Sequence, residues 1–136
     1  MLIKGNQHTD DRGVITFNNE FDASQIKRIY TIENHSTEFI RGWQGHKIEQ
    51  RWFACVKGSF EISIIQVDDF DFPSKGLSVS IYRLDDNALT YLHIPSGFVT
   101  AIQSKEEKSK LLVMSDYGMG DTNDEYRYSL DYFINK

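Results

Sequence analysis

The residues most suited to chemistry lie in one stretch of eleven, Arg41-Gly42-Trp43-Gln44-Gly45-His46-Lys47-Ile48-Glu49-Gln50-Arg51. It holds three permanent cations, one histidine and two side-chain amides, with a single acid among them. Guanidinium forks and lysine point charges are the groups that hold phosphates. A histidine, with an unperturbed pKa near 6.5, moves protons at neutral pH. The stretch therefore suits an anion site beside a general base. The plain alternative for the same composition is a solvated loop and strand edge.

The elements that must position these residues read as short strands. Ile26 to Glu33 places Ile26, Arg28, Tyr30 and Ile32 on one face. Arg51 to Lys57 and Phe60 to Val67 flank Gly58-Ser59, which predicts a β-hairpin because glycine supplies the positive φ of a two-residue turn. Leu77 to Leu84 alternates, with Leu77, Val79 and Ile81 expected on one face and Ser78, Ser80 and Tyr82 on the other. Leu89 to Ile94, Phe98 to Ile102 and Leu111 to Ser115 are further runs, with weaker ones at Gly13 to Phe17 and Tyr126 to Tyr132. Asn19 to Gln25 and Lys105 to Lys108 suit single helical turns. No stretch keeps helical apolar spacing over three turns. Many short strands with almost no helix predict an all-β sandwich or barrel in one domain spanning 1–136.

Composition agrees. The chain has 136 residues, a net charge of −5, 40% hydrophobic and 26% charged residues, as in globular domains. Its acidity excludes extended polyanions or anionic membranes as the main partner. Cys55 is the single cysteine, so no intrachain disulfide forms. No secretory signal or membrane-length apolar run is visible, and a cytoplasmic location is expected.

Arg41-Gly42 and His46, followed by Val56-Lys57-Gly58, with Asp11-Arg12-Gly13 upstream and Ile94-Pro95-Ser96-Gly97-Phe98 downstream, resemble the RmlC-like cupins. More narrowly they resemble the sugar 3,4-ketoisomerase (FdtA/WxcM-like) group, relatives of dTDP-4-dehydrorhamnose 3,5-epimerase. The resemblance implies a cupin jelly-roll β-barrel of two antiparallel sheets, usually a homodimer. It implies isomerisation of nucleotide-linked 4-keto-6-deoxy sugars, by proton abstraction beside a ketone, for surface-polysaccharide synthesis. The expected nucleotide is dTDP, and no cofactor is implied.

Residue by residue, the resemblance implies His46 as base or acid, Tyr30 as a functional tyrosine and Gln44 orienting the sugar. Arg41 would meet sugar or pyrophosphate. Arg51 lies where the epimerases carry a phosphate-contacting lysine. Arg12 would reach nucleotide, possibly across a dimer interface. Lys47, Gln50 and Tyr117 complete the expected contacts, and Trp43 and Trp52 could stack on base or sugar. His8, His35, His93 and Cys55 read as structural.

The departures also carry meaning. The family's Arg-Gly-x-His-x-His has Gln44 at the first histidine, the position of the epimerase base. Glutamine cannot take a proton at neutral pH. Thr100 stands where the epimerases have a later histidine, and their longer C-terminal segment, with its partner aspartate, is missing. The positions matching a metal cupin's ligands are Gln44, His46, Gln50 and Thr100. One imidazole among four does not make a metal site. The alternatives to the isomerase are a catalytically impaired cupin that binds a nucleotide sugar, and a 3,5-epimerase-like enzyme.

Overall fold

Strand alternation organises the computed structural model, which describes residues 1–133. In chain order the strands are β1 (Leu2–Ile3), β2 (Asn6–Asp10), β3 (Gly13–Phe17), β4 (Arg28–Ile32), β5 (Ile40–His46) and β6 (Arg51–Lys57). They continue as β7 (Ser59–Gln66), β8 (Ser80–Asp85), β9 (Tyr91–Ile94), β10 (Phe98–Ser104), β11 (Lys110–Ser115) and β12 (Glu125–Arg127). One 3-10 turn, Ala23–Gln25, is capped by Asp22, whose side chain accepts from Ser24 N. The sequence places a turn there. Lys105 to Lys108 forms bends and a turn without helix.

Two five-stranded antiparallel sheets face each other. Their orders are β1-β9-β6-β11-β4 and β12-β5-β10-β7-β8, while among the described residues β2 and β3 pair only with each other. The space between the sheets is filled by Phe53, Cys55, Leu92, Ile94, Leu111 and Val113 of the first and Phe60, Ile62, Ile64, Leu84 and Ile102 of the second. On β6 the period of two sends Phe53 and Cys55 inward and Trp52 and Ala54 outward. The outward pair packs with Tyr91 and Met114, covered by Phe21. This is the expected all-β, two-sheet architecture. Among the described residues no helix is long and apolar enough to cross a membrane.

Three expectations change. First, β6 and β7 are not a hairpin: β6 pairs with β11 and β9, whereas β7 pairs with β10 and β8. Gly58, at φ +77, turns the chain from one sheet to the other. A positive-φ glycine serves a corner as well as a hairpin, so the dipeptide cannot tell them apart. Second, on β8 the inward residues are Tyr82 and Leu84, and Ile81 is exposed. Leu77 and Val79 precede the strand and pack in a separate cluster with Trp43 and Phe70. Third, the polar stretch from Arg41 contains a strand, β5, paired on both sides.

Candidate active site

β5 brings the site together. Its register against β10 slips between Thr100 opposite Gln44 and Ile102 opposite Arg41, so two residues of β5 face one of β10. This bulge lets Arg41, Gln44 and His46 line the same cleft although the first two are an odd three positions apart. Gly45 permits the close approach of the strands: a Cβ there would stand 2.7 Å from Val99 Cα. Across the space, β4 contributes Tyr30 and Ile32, and β6 contributes Arg51 and Phe53. Ile94, Pro95, Phe98, Thr100 and Ile102 form the rest of the wall, and the cleft with its mouth encloses about 490 Å³.

His46 is 7% exposed. Its Nδ1 faces Asp124 Oδ1 at 3.2 Å and, more distantly, Glu49 Oε2 at 3.7 Å. Its Nε2 receives Arg51 Nη2 at 2.7 Å. Arginine has only donors, so Nε2 must be an acceptor and the proton of the neutral ring belongs on Nδ1. Arg51 also donates to Glu49 Oε1 at 3.0 Å and, through Nη1, to the Tyr30 hydroxyl. Its Nε is buried and has no partner among the described residues. Tyr30 itself lies between two guanidinium groups, Arg28 at 4.6 Å and Arg51 at 5.7 Å from the ring centre.

Both carboxylates are held ionised. Burial would raise Asp124. The backbone N–H groups of Glu49 and Ile48, with His46 and Thr122, outweigh it and bring the pKa to about 2. Burial would likewise raise Glu49, but the hydroxyls of Thr122 and Ser115 and the neighbouring His46 and Arg51 lower it. Thr122 Oγ1 bridges the two carboxylates. Among the described residues His46, Glu49 and Asp124 also approach the spacing of a metal cluster. Here, however, the Arg51 cation stands against His46 and Glu49, and hydroxyls occupy the carboxylate oxygens.

The cleft thus unites Tyr30, Arg41, Gln44, His46 and Arg51. Arg41 is steadied by Asn34, whose Oδ1 accepts from its Nε at 3.3 Å. The other expected contacts lie outside the lining. Lys47 alternates outward and is exposed. The Gln50 amide is committed to Asp116 Oδ2 at 3.2 Å and to His93 Nε2 at 2.6 Å. Arg12 is 81% exposed at the β2–β3 turn and paired with Asp10. Tyr117 follows β11, half-buried. Trp43 and Trp52 are core aromatics: Trp43 donates to Leu130 O and packs edge-on against Phe133, and Trp52 stacks on His93. Burial pushes the Cys55 thiol up to about 12, which keeps it inert. His93 is lowered by burial and then by the N-terminal ammonium.

Glu49, Ser115, Thr122 and Asp124 were not foreseen. Glu49 sat in the charged stretch, three residues from His46. Asp124 is 78 residues away and carries no local signal. In this chain the carboxylate on His46 Nδ1 is that of Asp124.

The model of the FdtA family (WxcM-like, C-terminal) matches residues 1–136. No curated protein matches. Among solved structures, QdtA, a sugar 3,4-ketoisomerase from Thermoanaerobacterium thermosaccharolyticum in complex with TDP, is 26% identical, with a TM-score of 0.70 over 97% of this chain and 90% of that one. A mutant of the same enzyme, in complex with TDP-4-keto-6-deoxyglucose, is 26% identical with a TM-score of 0.70, covering 94% and 86%. ChmJ, a 3'-monoepimerase from Streptomyces bikiniensis in complex with dTDP-quinovose, shares the fold at 16% identity and a TM-score of 0.73, covering 93% and 67%.

Proposed function

This chain belongs to the FdtA family, and from that premise we propose that it is a 3,4-ketoisomerase of a dTDP-linked 4-keto-6-deoxy sugar. The observation that carries the reading is His46, held through Nδ1 by Asp124, contacted at Nε2 by Arg51, and lining a cleft shared with Tyr30. A base oriented by a carboxylate, with a hydroxyl donor for the developing oxyanion, is what enolisation beside a ketone requires.

In this reading His46 Nε2 takes the proton from C3, and the C–H electron pair becomes that of the enediolate. Tyr30 gives its hydroxyl proton to O4. The O3 proton then passes to Tyr30 as His46 returns its proton to C4. The C3–H and O3–H bonds break, the C4–H and O4–H bonds form, and no oxidant is needed. Gln44 orients the sugar oxygens by hydrogen bonding, and Arg41 meets the pyrophosphate. The aliphatic and aromatic wall of Ile32, Phe53, Ile94 and Phe98 suits the deoxy carbon.

The test is incubation with dTDP-4-keto-6-deoxyglucose in deuterated water, followed by NMR. The 3-keto isomer is the expected product. Recovery of unchanged sugar, with neither isomer nor ring deuterium, refutes the reading. One observation favours a second reading, a nucleotide-sugar-binding cupin with impaired turnover: Gln44 replaces a family histidine, and Arg51 covers the remaining base. Tight binding without turnover, with activity gained in Gln44→His, would decide for it.

A homodimer belongs to the same proposal. The β2–β3 hairpin pairs with neither sheet, and Val14 and Ile15 on it are 58% and 59% exposed. A lone two-stranded hairpin is marginally stable in water, so a second copy is its proposed cover. Light scattering that gives one chain's mass would refute this. We also assign the enzyme to the cytoplasm, which fractionation of the cells that make it would test.

A further inference from the structure

Protonation of His46 cannot leave Arg51 where it is. The guanidinium carries five N–H groups and no acceptor. Its 2.7 Å contact with His46 Nε2 lasts only while that nitrogen keeps its lone pair. Once Nε2 takes a proton, donor faces donor and the guanidinium must withdraw. Two other acceptors already touch it, Glu49 Oε1 at 3.0 Å and the Tyr30 hydroxyl. Tyr30 has a second cation, Arg28, against its ring, which makes it a poor sole partner. Glu49 is an anion and does not follow a moving partner. Its Oε1 also accepts from Ser115 Oγ at 2.8 Å, its Oε2 accepts from Thr122 Oγ1, and the side chain is 9% exposed. The unpartnered Arg51 Nε leaves the guanidinium under-bonded on its present side.

Resting on the ketoisomerase reading, we infer that Glu49 is a positioning residue, the anchor about which Arg51 swings off His46 when the base takes its proton. The Nη2–H···Nε2 bond breaks as the new N–H bond forms, and the Nη2–H···Oε1 bond persists. Return of the proton to substrate restores the lone pair and the contact. Without the Glu49 charge, Arg51 has only the base and Tyr30 to bind, and the base stays covered. The charged and titratable groups facing His46 are Asp124 and Glu49 at Nδ1 and Arg51 at Nε2, with Lys47 beside it in the chain and turned outward. Those facing Arg51 are His46, Glu49 and Tyr30.

The test is a double-mutant cycle on kcat, using Glu49→Gln with and without Arg51→Met. Glu49→Gln is expected to lower kcat about 10- to 100-fold when Arg51 is present, the scale of one lost charged hydrogen bond. With Met at position 51 the same change is expected to cost less than about 3-fold, because coupling needs both partners. With Arg51 present, the affinity of Glu49→Gln for dTDP is expected to stay within about 2-fold of wild type. Equal losses in both backgrounds overturn the inference. A second measurement uses wild-type protein and needs no turnover. On acidification, the ¹⁵N signals of the His46 ring and the Arg51 Nε–H are expected to move with one midpoint. A stationary Arg51 while His46 titrates overturns the inference. Failure of the wild type to convert any keto sugar overturns the ketoisomerase reading and leaves this second measurement standing.

Discussion

Between the sheets, one end of the shared space is dry and the other is charged. Cys55, Phe60, Ile62, Leu111 and Val113 are each 0–2% exposed at the first. At the second, four residues back from Cys55 along β6 and two forward from Val113 along β11, stand Arg51 and Ser115, followed by His46, Glu49 and Asp124. The same alternation delivers both. At the dry end shape and volume suffice. At the charged end burial is tolerable because nearly every polar atom has a partner, with Arg51 Nε the exception. The lesson is a division along single strands: apolar packing at one end, a hydrogen-bonded charged cluster at the other.

The sharpest way to break this contrast is His46→Gln. Turnover is expected to fall at least about 10³-fold, the upper part of the range for a lost general base, with the melting temperature within about 3 °C of wild type. Steady-state kinetics beside calorimetry checks both. Phe60→Ala should do the reverse, costing about 3–5 kcal/mol of stability while kcat per folded molecule stays within about 3-fold. Urea unfolding with activity normalised to the folded fraction decides. A large kcat loss in Phe60→Ala would erase the distinction between the ends.

Acid separates the ends next. Asp124 lies at about 2 in the folded protein against an ordinary 3.8. A depressed carboxylate adds stability that is complete above its unfolded value and vanishes as pH falls through its folded value. The stability gap between wild type and Asp124→Asn, full at pH 6, is therefore expected to close by about 2 kcal/mol toward pH 2. Urea titrations at stepped pH measure it. A pH-independent gap would mean Asp124 acts by packing alone. The smallest effect is expected from Arg12→Ala on the exposed hairpin. The melting temperature should stay within about 1 °C, and a weakened affinity for dTDP would show that the hairpin reaches a cleft, as a dimer permits.

Much of the fold was legible because alternation is local. Arg51 to Lys57 and Gly13 to Phe17 match β6 and β3 end to end, and both carry their pattern in consecutive residues. β5 was hidden because its inward positions are Arg41, Gln44 and His46, polar at every point where a strand signal needs apolar residues. β2, Asn-Gln-His-Thr-Asp, was hidden for the same reason. The candidate site divides likewise. His46, Arg41, Gln44 and Arg51 lie in one stretch, and Tyr30 lies on a strand with clear alternation. Lys47 and Gln50, in the same stretch, are turned away, the first by the period of two and the second by its hydrogen bonds to Asp116 and His93. Asp124 and Thr122 reach the site only through the chain's return beside β5, where β12 pairs Glu125 with His46.

By itself, then, the sequence determined the class of the fold, the stretch that supplies most of the candidate site, and the family. Those rest on side-chain period, local charge and ordered motifs, all written in neighbouring residues. Only the tertiary structure decided that Gly58 crosses between sheets and that Arg51 turns to the base. It alone decided that the distant Asp124 holds His46 while the nearby Glu49 holds Arg51. Such facts depend on which strands pair. Pairing is settled by burial summed over the whole core, a quantity no short stretch of residues contains.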